Sequence, residues 1–419
     1  MSARDKGKQF DSLLHHINEL SLKECFYQLS ANRAVGTDGI EKSDYVTSLD
    51  VNLKELVERM KRMAYRPGPV RRVLIPKEGK PNATRPLGIS NFEDKIVQKM
   101  MQRILESIYE PVFLDCSYGF RPGRGCHDAI RALYQYLYAN EVQTVMDIDL
   151  AGYFDSIDHK HLLAFLRMKI RDKRFLRYVT RMLKAGVLSE GELTVSDEGV
   201  PQGSICSPIL ANIFAHYVID DWFENVVKHH CTGKAQLFRY ADDIVISCQY
   251  ERDAKRVLKA LGKRLEKYGL KLNAEKTQLV SFSKRAYQQG VKQDTFSFLG
   301  FTFYIGRSQK GFPLPKLKSE GKRLRMKLKR VKLWAQIARR QYRLPDIWRM
   351  FCVKLEGHVR YYGVSHNIAC VRNFLQAAIQ ILFKWLNRRS QRKSFDWEKF
   401  TRFMKLYPPP RARVCHKLF

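Results

Sequence analysis

Nowhere in the 419 residues does the sequence run to about twenty uncharged apolar positions in a row, the length a helix needs to span a bilayer. The first residues, Met1-Ser2-Ala3-Arg4-Asp5-Lys6, lack the apolar segment of a secretory signal. The nine cysteines include no pair at C-x-x-C spacing, and an odd number without metal-type spacing fits reduced thiols in a cytosol-like compartment. His15-His16 and His229-His230 have no cysteine partners at zinc spacing and read as ordinary polar residues. Acid is scarce: 42 Asp and Glu face 75 Lys and Arg, a formal charge of +33. An excess of that size must be met by a polyanion, with nucleic acid the first candidate and an anionic membrane the second. The deficit of acid is concentrated. Residues 301–419 hold 29 Lys and Arg against 5 Asp and Glu, which marks this segment as a functional region and not a general solubility device. A hydrophobic content of 45% is enough for globular packing, and the length suggests two or three lobes.

The residues that are present are organised around Tyr240-Ala241-Asp242-Asp243, set between the β-prone runs Leu237–Arg239 and Ile244–Ile246. The pattern predicts a hairpin with two adjacent carboxylates at or near its tip. Adjacent strand residues point to opposite faces, so one Asp can aim at a reaction centre while the other supports it. Two like charges so close repel, and a bound cation relieves them. A solvated Asp-Asp turn is the alternative for this stretch alone. A second acidic strand, Val145-Met146-Asp147-Ile148-Asp149-Leu150, changes that balance. Asp149, Asp242 and Asp243 supply three carboxylates from two strands, enough for two magnesium ions about 4 Å apart. Magnesium keeps water and substrate phosphates among its ligands, so few protein carboxylates are needed.

Helical periodicity is expected in residues 11–63, with a loop at Gly36-Thr37-Asp38-Gly39, then at 92–110, 208–226 and 252–268. Val70–Lys77 and Thr84–Ile89 read as a basic hairpin. Lys77 and Arg85 would lie near each other across it and could clamp a triphosphate, a solvated basic hairpin being the alternative. The loop Ser117–Gly125, with Arg121 and Arg124, suits a nucleic-acid backbone and stacked bases. Gly199–Pro208 is a tight loop in which Gly203 permits close backbone approach and Gln202 offers both donor and acceptor. The basic segment reads as three helices, about 319–340, 344–362 and 368–389. The first carries Lys322, Arg325 and Lys329 beside an apolar stripe of Leu324, Leu328, Val331 and Trp334. Such a helix could also lie on a membrane. The segments around Arg388-Arg389 and Pro408-Pro409-Pro410 are too polar for a core of their own.

Taken in order, Asp149 with Tyr153-Phe154-Asp155, Pro201-Gln202-Gly203, Tyr240–Asp243, Gly269–Asn273 with Lys276-Thr277, and Phe298-Leu299-Gly300 resemble the ordered blocks of reverse transcriptases. Ala241, Ser117–Gly125 and Arg85–Ile89 look like group II intron-encoded proteins, and Gly357–Tyr362 with Trp385–Ser390 resemble the maturase region of that family. The resemblance implies an α+β right-hand polymerase. Its parts would be an N-terminal helical extension (1–65), fingers and an antiparallel-sheet palm (66–305), a three-helix thumb or maturase domain (306–390) and a basic DNA-binding tail (391–419). It implies catalytic metals on Asp149 and Asp242 with Asp243 accessory, the triphosphate on Lys77 and Arg85, and Gln202 and Gly203 at the nucleotide and template pocket. Phe154 would be the ring that blocks a ribose 2′-hydroxyl, or else a core aromatic beside Tyr153, and Lys276 a proton donor to pyrophosphate. The implied partners are the parent intron RNA, target DNA, a template–primer duplex and dNTPs, with Arg388 and Arg389 among the nucleic-acid contacts and no membrane. The expected setting is a bacterial-type, nucleoid-associated cytoplasmic protein. With only Cys415 and His416 near the end, a zinc-dependent HNH endonuclease is expected to be absent. A splicing-only RNA-binding maturase and a domesticated or defence-associated reverse transcriptase are the alternatives.

Overall fold

The computed structural model of this chain describes residues 7–31, 33–76, 84–189, 191–388 and 396–418. The described residues form α-helices and largely antiparallel sheets, in two compact units that are each discontinuous in sequence.

The first unit comprises Met1–Gly125, Ile148–Ile246 and Arg252–Thr277. Its helix Phe92–Tyr109 buries Ile96, Val97, Met101 and Leu105, the apolar face expected from the 3.6-residue spacing. The strands Val70–Pro76 and Thr84–Ile89 pair antiparallel, with Ile75 opposite Arg85. A short strand, Val187–Ser189, joins the first of them in parallel. The helix Lys173–Leu183 begins at Asp172, whose carboxylate accepts from the N–H of Arg174 and Phe175 and also from Leu13 and Leu14. One residue thus caps a helix and ties down the N-terminal segment.

The helix expected at 208–226 runs from Ser207 to His230 and is not a regular α-helix throughout. Two five-residue stretches, His216–Asp220 and Phe223–Val227, adopt π geometry. Each π stretch shifts the facing of the side chains that follow. Ala235–Tyr240 and Asp243–Cys248 then form the hairpin read from the sequence, and Glu251–Lys267 the amphipathic helix after it.

The second unit comprises Cys126–Asp147, Ser247–Glu251 and Gln278–Phe419. Here Thr144–Asp147 pairs antiparallel with Gln278–Ser281. Phe296–Phe298, Phe301–Arg307 and Pro313–Ser319 make a three-stranded antiparallel sheet. The turn at Leu299-Gly300 has positive φ at both positions, which breaks the apolar run Phe296–Phe303 into two strands. Helices Gly321–Gln341, Leu344–Tyr362 and Ile368–Leu386 match the three expected. A fourth, Trp397–Leu406, was not anticipated. It buries Phe400 against Trp348 and Phe383 and so shares their core without needing its own. The chain end is held by bonds from Cys415 and His416 N–H to the Gly363 carbonyl, and Leu418 is buried.

Candidate active site

All the residues that converge on the site belong to the first unit. Past the end of its strand, Asp149 stays paired to the chain at 271–273: the Asn273 N–H donates to the Asp149 carbonyl (2.8 Å) and the Ala151 N–H to the Lys271 carbonyl (2.9 Å). That pairing brings Lys276 over the Asp149 carboxylate, with Nζ at 2.8 and 3.0 Å from its two oxygens. Both side chains are substantially exposed, so the pair is held weakly.

The Asp-Asp hairpin turns at Ala241, whose φ of 57° lies in the left-handed region that non-glycine residues seldom occupy. A buried guanidinium supports it. Arg239 has no exposed surface, and its five N–H donors meet five acceptors. Nε and one terminal nitrogen fork onto Asp220 (2.7 and 2.6 Å), and the remaining bonds reach Asn212 Oδ1, Ser117 Oγ and the Ala241 carbonyl. Burial works against the charge, but the Asp220 carboxylate outweighs it and keeps Arg239 protonated. Gly119 seats the turn from the other side: a Cβ there would lie 2.4 Å from the Ala241 nitrogen. The sequence reading missed Arg239, Asp220 and Asn212. The available signal was a cation at a strand position flanked by apolar residues, which burial makes costly unless it is paired.

Asp149 and Asp242 line one cavity of about 720 Å³. Arg85, Phe154, Gln202, Gly203 and Lys276 share it, so the structure brings together seven of the nine catalytic and substrate-binding residues expected from sequence. Gly203 has φ of 110°, and a Cβ there would meet the Gly88 carbonyl at 2.4 Å. The Gly88 N–H also donates to the Gln202 carbonyl at 2.5 Å. This glycine-on-glycine approach fixes the strand carrying Arg85 against the loop carrying Gln202. The Gln202 amide donates to both oxygens of Asp155, at 3.1 and 3.2 Å, a partner not foreseen. Phe154 is half-buried and packs edge-on against Tyr153, 5.6 Å between centroids, while its other side borders the cavity.

Other expectations fall outside the cavity. Asp243 is exposed but is not on the lining. Lys77 and Arg389 lie outside the described residues. Arg121 is committed within the protein: its side chain is buried, forks onto Glu110 and donates to the carbonyls of Leu114 and Ser117. From the same loop Phe120, half-exposed and beside Tyr240, lines the cavity instead. Arg124 is bonded to the exposed Asp115. In the second unit Lys322, Arg325 and Lys329 are exposed and make no ion pair among the described residues. Arg388 stacks on Trp385 at 5.0 Å.

The cavity carries Asp149, Asp155, Asp242 and Glu275 against Arg85 and Lys276, an acidic hollow in a chain of charge +33. Among the described residues no three His, Cys, Asp or Glu side chains cluster closely enough to enclose a metal ion by themselves. Carboxylate oxygens on an open wall nevertheless fit a hard divalent cation that completes its shell with water and substrate phosphate.

Residues 75–303 match the family described as reverse transcriptase (RNA-dependent DNA polymerase). The group II intron-encoded protein LtrA of Lactococcus lactis subsp. cremoris is 38% identical over 191 residues, 46% of this chain and 31% of that protein. An uncharacterized 91 kDa protein in the cob intron of Schizosaccharomyces pombe is 37% identical over 202 residues, 48% of this chain and 24% of its own length. Protein YkfC of Escherichia coli is 36% identical over 208 residues, 49% of this chain and 53% of that protein. The matched regions span about a quarter to a half of these relatives' lengths. With the family match covering more than half of the sequence, and Asp149, Gln202, Gly203 and Asp242 on one cavity, the chain belongs to the reverse transcriptase family of RNA-dependent DNA polymerases.

Proposed function

We propose that this chain is an RNA-directed DNA polymerase of a group II intron, which binds its parent intron RNA, assists its splicing and copies it into DNA. The observation that carries the polymerase reading is the acidic cavity on which Asp149, Asp242, Arg85, Phe154 and Gln202 meet. The maturase part rests on relatives named for introns, the Lactococcus protein and Nuclear intron maturase 2 of Arabidopsis thaliana, and on Lys322, Arg325 and Lys329 of helix Gly321–Gln341, which are exposed and make no ion pair among the described residues. In this reading residues 1–65 are an N-terminal extension, 66–305 fingers and palm, 306–390 a thumb and 391–419 a DNA-binding tail.

The reaction is attack of a primer 3′-hydroxyl on the α-phosphate of a dNTP, with pyrophosphate leaving. Reverse transcriptases use divalent metal ions, and here Asp149 and Asp242, with Asp243 accessory, would hold two Mg²⁺ that supply Lewis-acid stabilisation of the reacting oxygens. The chain's own side chains do the rest. Arg85, with Lys77, neutralises the triphosphate. Gln202, oriented by Asp155, lines the nucleotide pocket, and Gly203 admits the nucleotide to close backbone approach. Phe154 packs where a ribose 2′-hydroxyl would project. Lys276, resting on Asp149, balances that carboxylate and is within reach of the leaving pyrophosphate.

The test uses purified Asp242→Asn in two assays. Primer extension on an RNA template falls by orders of magnitude, because the substitution keeps the shape but removes a charge from the metal site. Binding and splicing of intron RNA persist, because the cations of residues 301–419 are untouched. Undiminished primer extension would remove Asp242 from the metal site. Loss of both activities in a folded protein would show that polymerase cleft and RNA-holding surface are one.

A further inference from the structure

A second cavity, of about 620 Å³, lies wholly within the second unit and plays no part in the polymerase site. Its walls come from four separated segments: the approach to strand Thr144–Ile148, the turn after Cys248, the helix Lys284–Gln288 and the turn between strands Phe301–Arg307 and Pro313–Ser319. Two aromatic rings stand open on it. Phe312 is 64% exposed and Tyr250 39% exposed. An isolated exposed aromatic needs no explanation, but two on one cavity leave apolar faces without a partner among the described residues.

The chemistry between the rings is that of amides and cations. Gln143, Gln249 and Gln288 line the cavity, and a glutamine amide offers both donors and an acceptor. The Gln143 carbonyl oxygen accepts from the Glu251 N–H at 3.3 Å, which leaves its NH₂ without a protein partner among the described residues. Arg285 is exposed and makes no ion pair among the described residues. Lys284 Nζ donates to the Tyr138 carbonyl at 2.7 Å, so it helps hold the wall while keeping its charge at the cavity. Glu141 is the one acidic residue on the lining among the described residues. A drug-sized ligand site would be mainly apolar with few polar groups. Exposed rings with amides and an exposed guanidinium are what an unpaired nucleotide requires: a stacking face, base-edge partners and a phosphate contact.

We propose that this cleft binds unpaired nucleotides of RNA. Bases stack on Phe312 and Tyr250, the glutamines meet their edges, and Arg285 contacts the backbone. The inference rests on the intron-RNA reading above and specifies a contact for it that lies outside the polymerase cavity.

The experiment measures binding of the full chain to intron RNA and to short single-stranded RNA carrying a fluorescent adenine analogue. The proteins are wild type, Phe312→Ala, Phe312→Tyr and Arg285→Ala. Phe312→Ala should weaken binding about tenfold, the size of one lost stack, and leave the salt dependence unchanged, because no charge is removed. Phe312→Tyr should bind as wild type and retain the quenching of the stacked analogue. Arg285→Ala should reduce the log–log salt slope by about one. Primer extension should be unaltered in all three, since none touches the polymerase cavity. Wild-type affinity in Phe312→Ala, with quenching intact, overturns the inference and leaves the proposed function standing. A chain that binds neither RNA overturns both. A wild-type dimer that Phe312→Ala dissociates would give the cleft to a protein contact and overturn the RNA assignment.

Discussion

Arg239 supports the Asp-Asp turn, and the one sign of it in the sequence, a cation between apolar strand residues, is faint. In a chain with 75 Lys and Arg, one more cation beside Tyr240 looks like part of the basic surface. Its partner Asp220 is nineteen residues back, on a helix whose π stretch could not be read from periodicity. With all five donors satisfied and no exposed surface, the pair is stable only as a pair. Arg239→Met leaves Asp220 as a buried, uncompensated charge, which costs about 3–5 kcal/mol. Arg239→Lys recovers little, because one ammonium cannot reach both Asp220 and the Ala241 carbonyl. Urea unfolding should show the loss for both variants, and adding Asp220→Leu to Arg239→Met should restore part of the stability without restoring primer extension. Restored extension would mean that the turn does not need the guanidinium. Phe154, five residues after Asp149, lines the same cavity as that aspartate. Phe154→Val should admit ribonucleotides while keeping dNTP incorporation. Unchanged rejection of rNTPs by the folded variant would return the ring to a packing role beside Tyr153.

At the scale of elements, alternation and turn chemistry carried most of the reading. The hairpin around Asp242, the strand Thr84–Ile89 and the three helices of the basic segment stand close to where the periodicities put them. Three features were not legible. Strand Pro313–Ser319 contains two prolines, which argue against a strand unless it lies at an edge, and it does. Helix Trp397–Leu406 is anchored by Phe400 on rings more than fifty positions away in the case of Trp348. Arg121 looked like a loop cation because its acceptors, Glu110 and two carbonyls, are visible only once the loop folds back. Helix Phe92–Tyr109 offers an element-scale test through pH. Burial pushes the Asp94 carboxyl up to about 6, against the bonds it receives from Tyr65 and Gly68. The folded pKa lies above the unfolded value, so folding takes up a proton between about pH 4 and 6. This group therefore favours the fold at low pH and loses that contribution as pH rises through 6. Wild type should lose about 1 kcal/mol more than Asp94→Asn between pH 5 and pH 8 in urea unfolding. Equal losses would mean that the carboxyl titrates normally.

For the molecule as a whole, charge is sorted by task. Four carboxylates are gathered on a cavity of the first unit, while helix Gly321–Gln341 of the second presents Lys322, Arg325 and Lys329 to solvent. The sequence made this sorting visible, since 29 of the cations fall in residues 301–419 with only 5 acids among them. What it could not reveal is which cations are already spent. Arg121 is committed to Glu110, and Arg360 and Arg413 both pair with Glu356. Lys322, Arg325 and Lys329 pair with nothing among the described residues, and so retain their full capacity to displace counter-ions from a phosphate backbone. Each phosphate contact contributes about 0.7–0.9 to the slope of log affinity against log salt. Replacing the three by glutamine should therefore flatten the slope for intron RNA by up to about two to three and weaken binding most at low salt. The helix should stay folded, because glutamine is nearly as good a helix former and the buried face, Ala335 and Ala338, is untouched. Incorporation of dNTPs on a saturating primed template should be unchanged, since the acidic cavity keeps its residues. A slope equal to that of wild type would place the RNA on other cations of the chain. A flattened slope with polymerase activity lost as well would mean that the template–primer duplex and the intron RNA use the same helix.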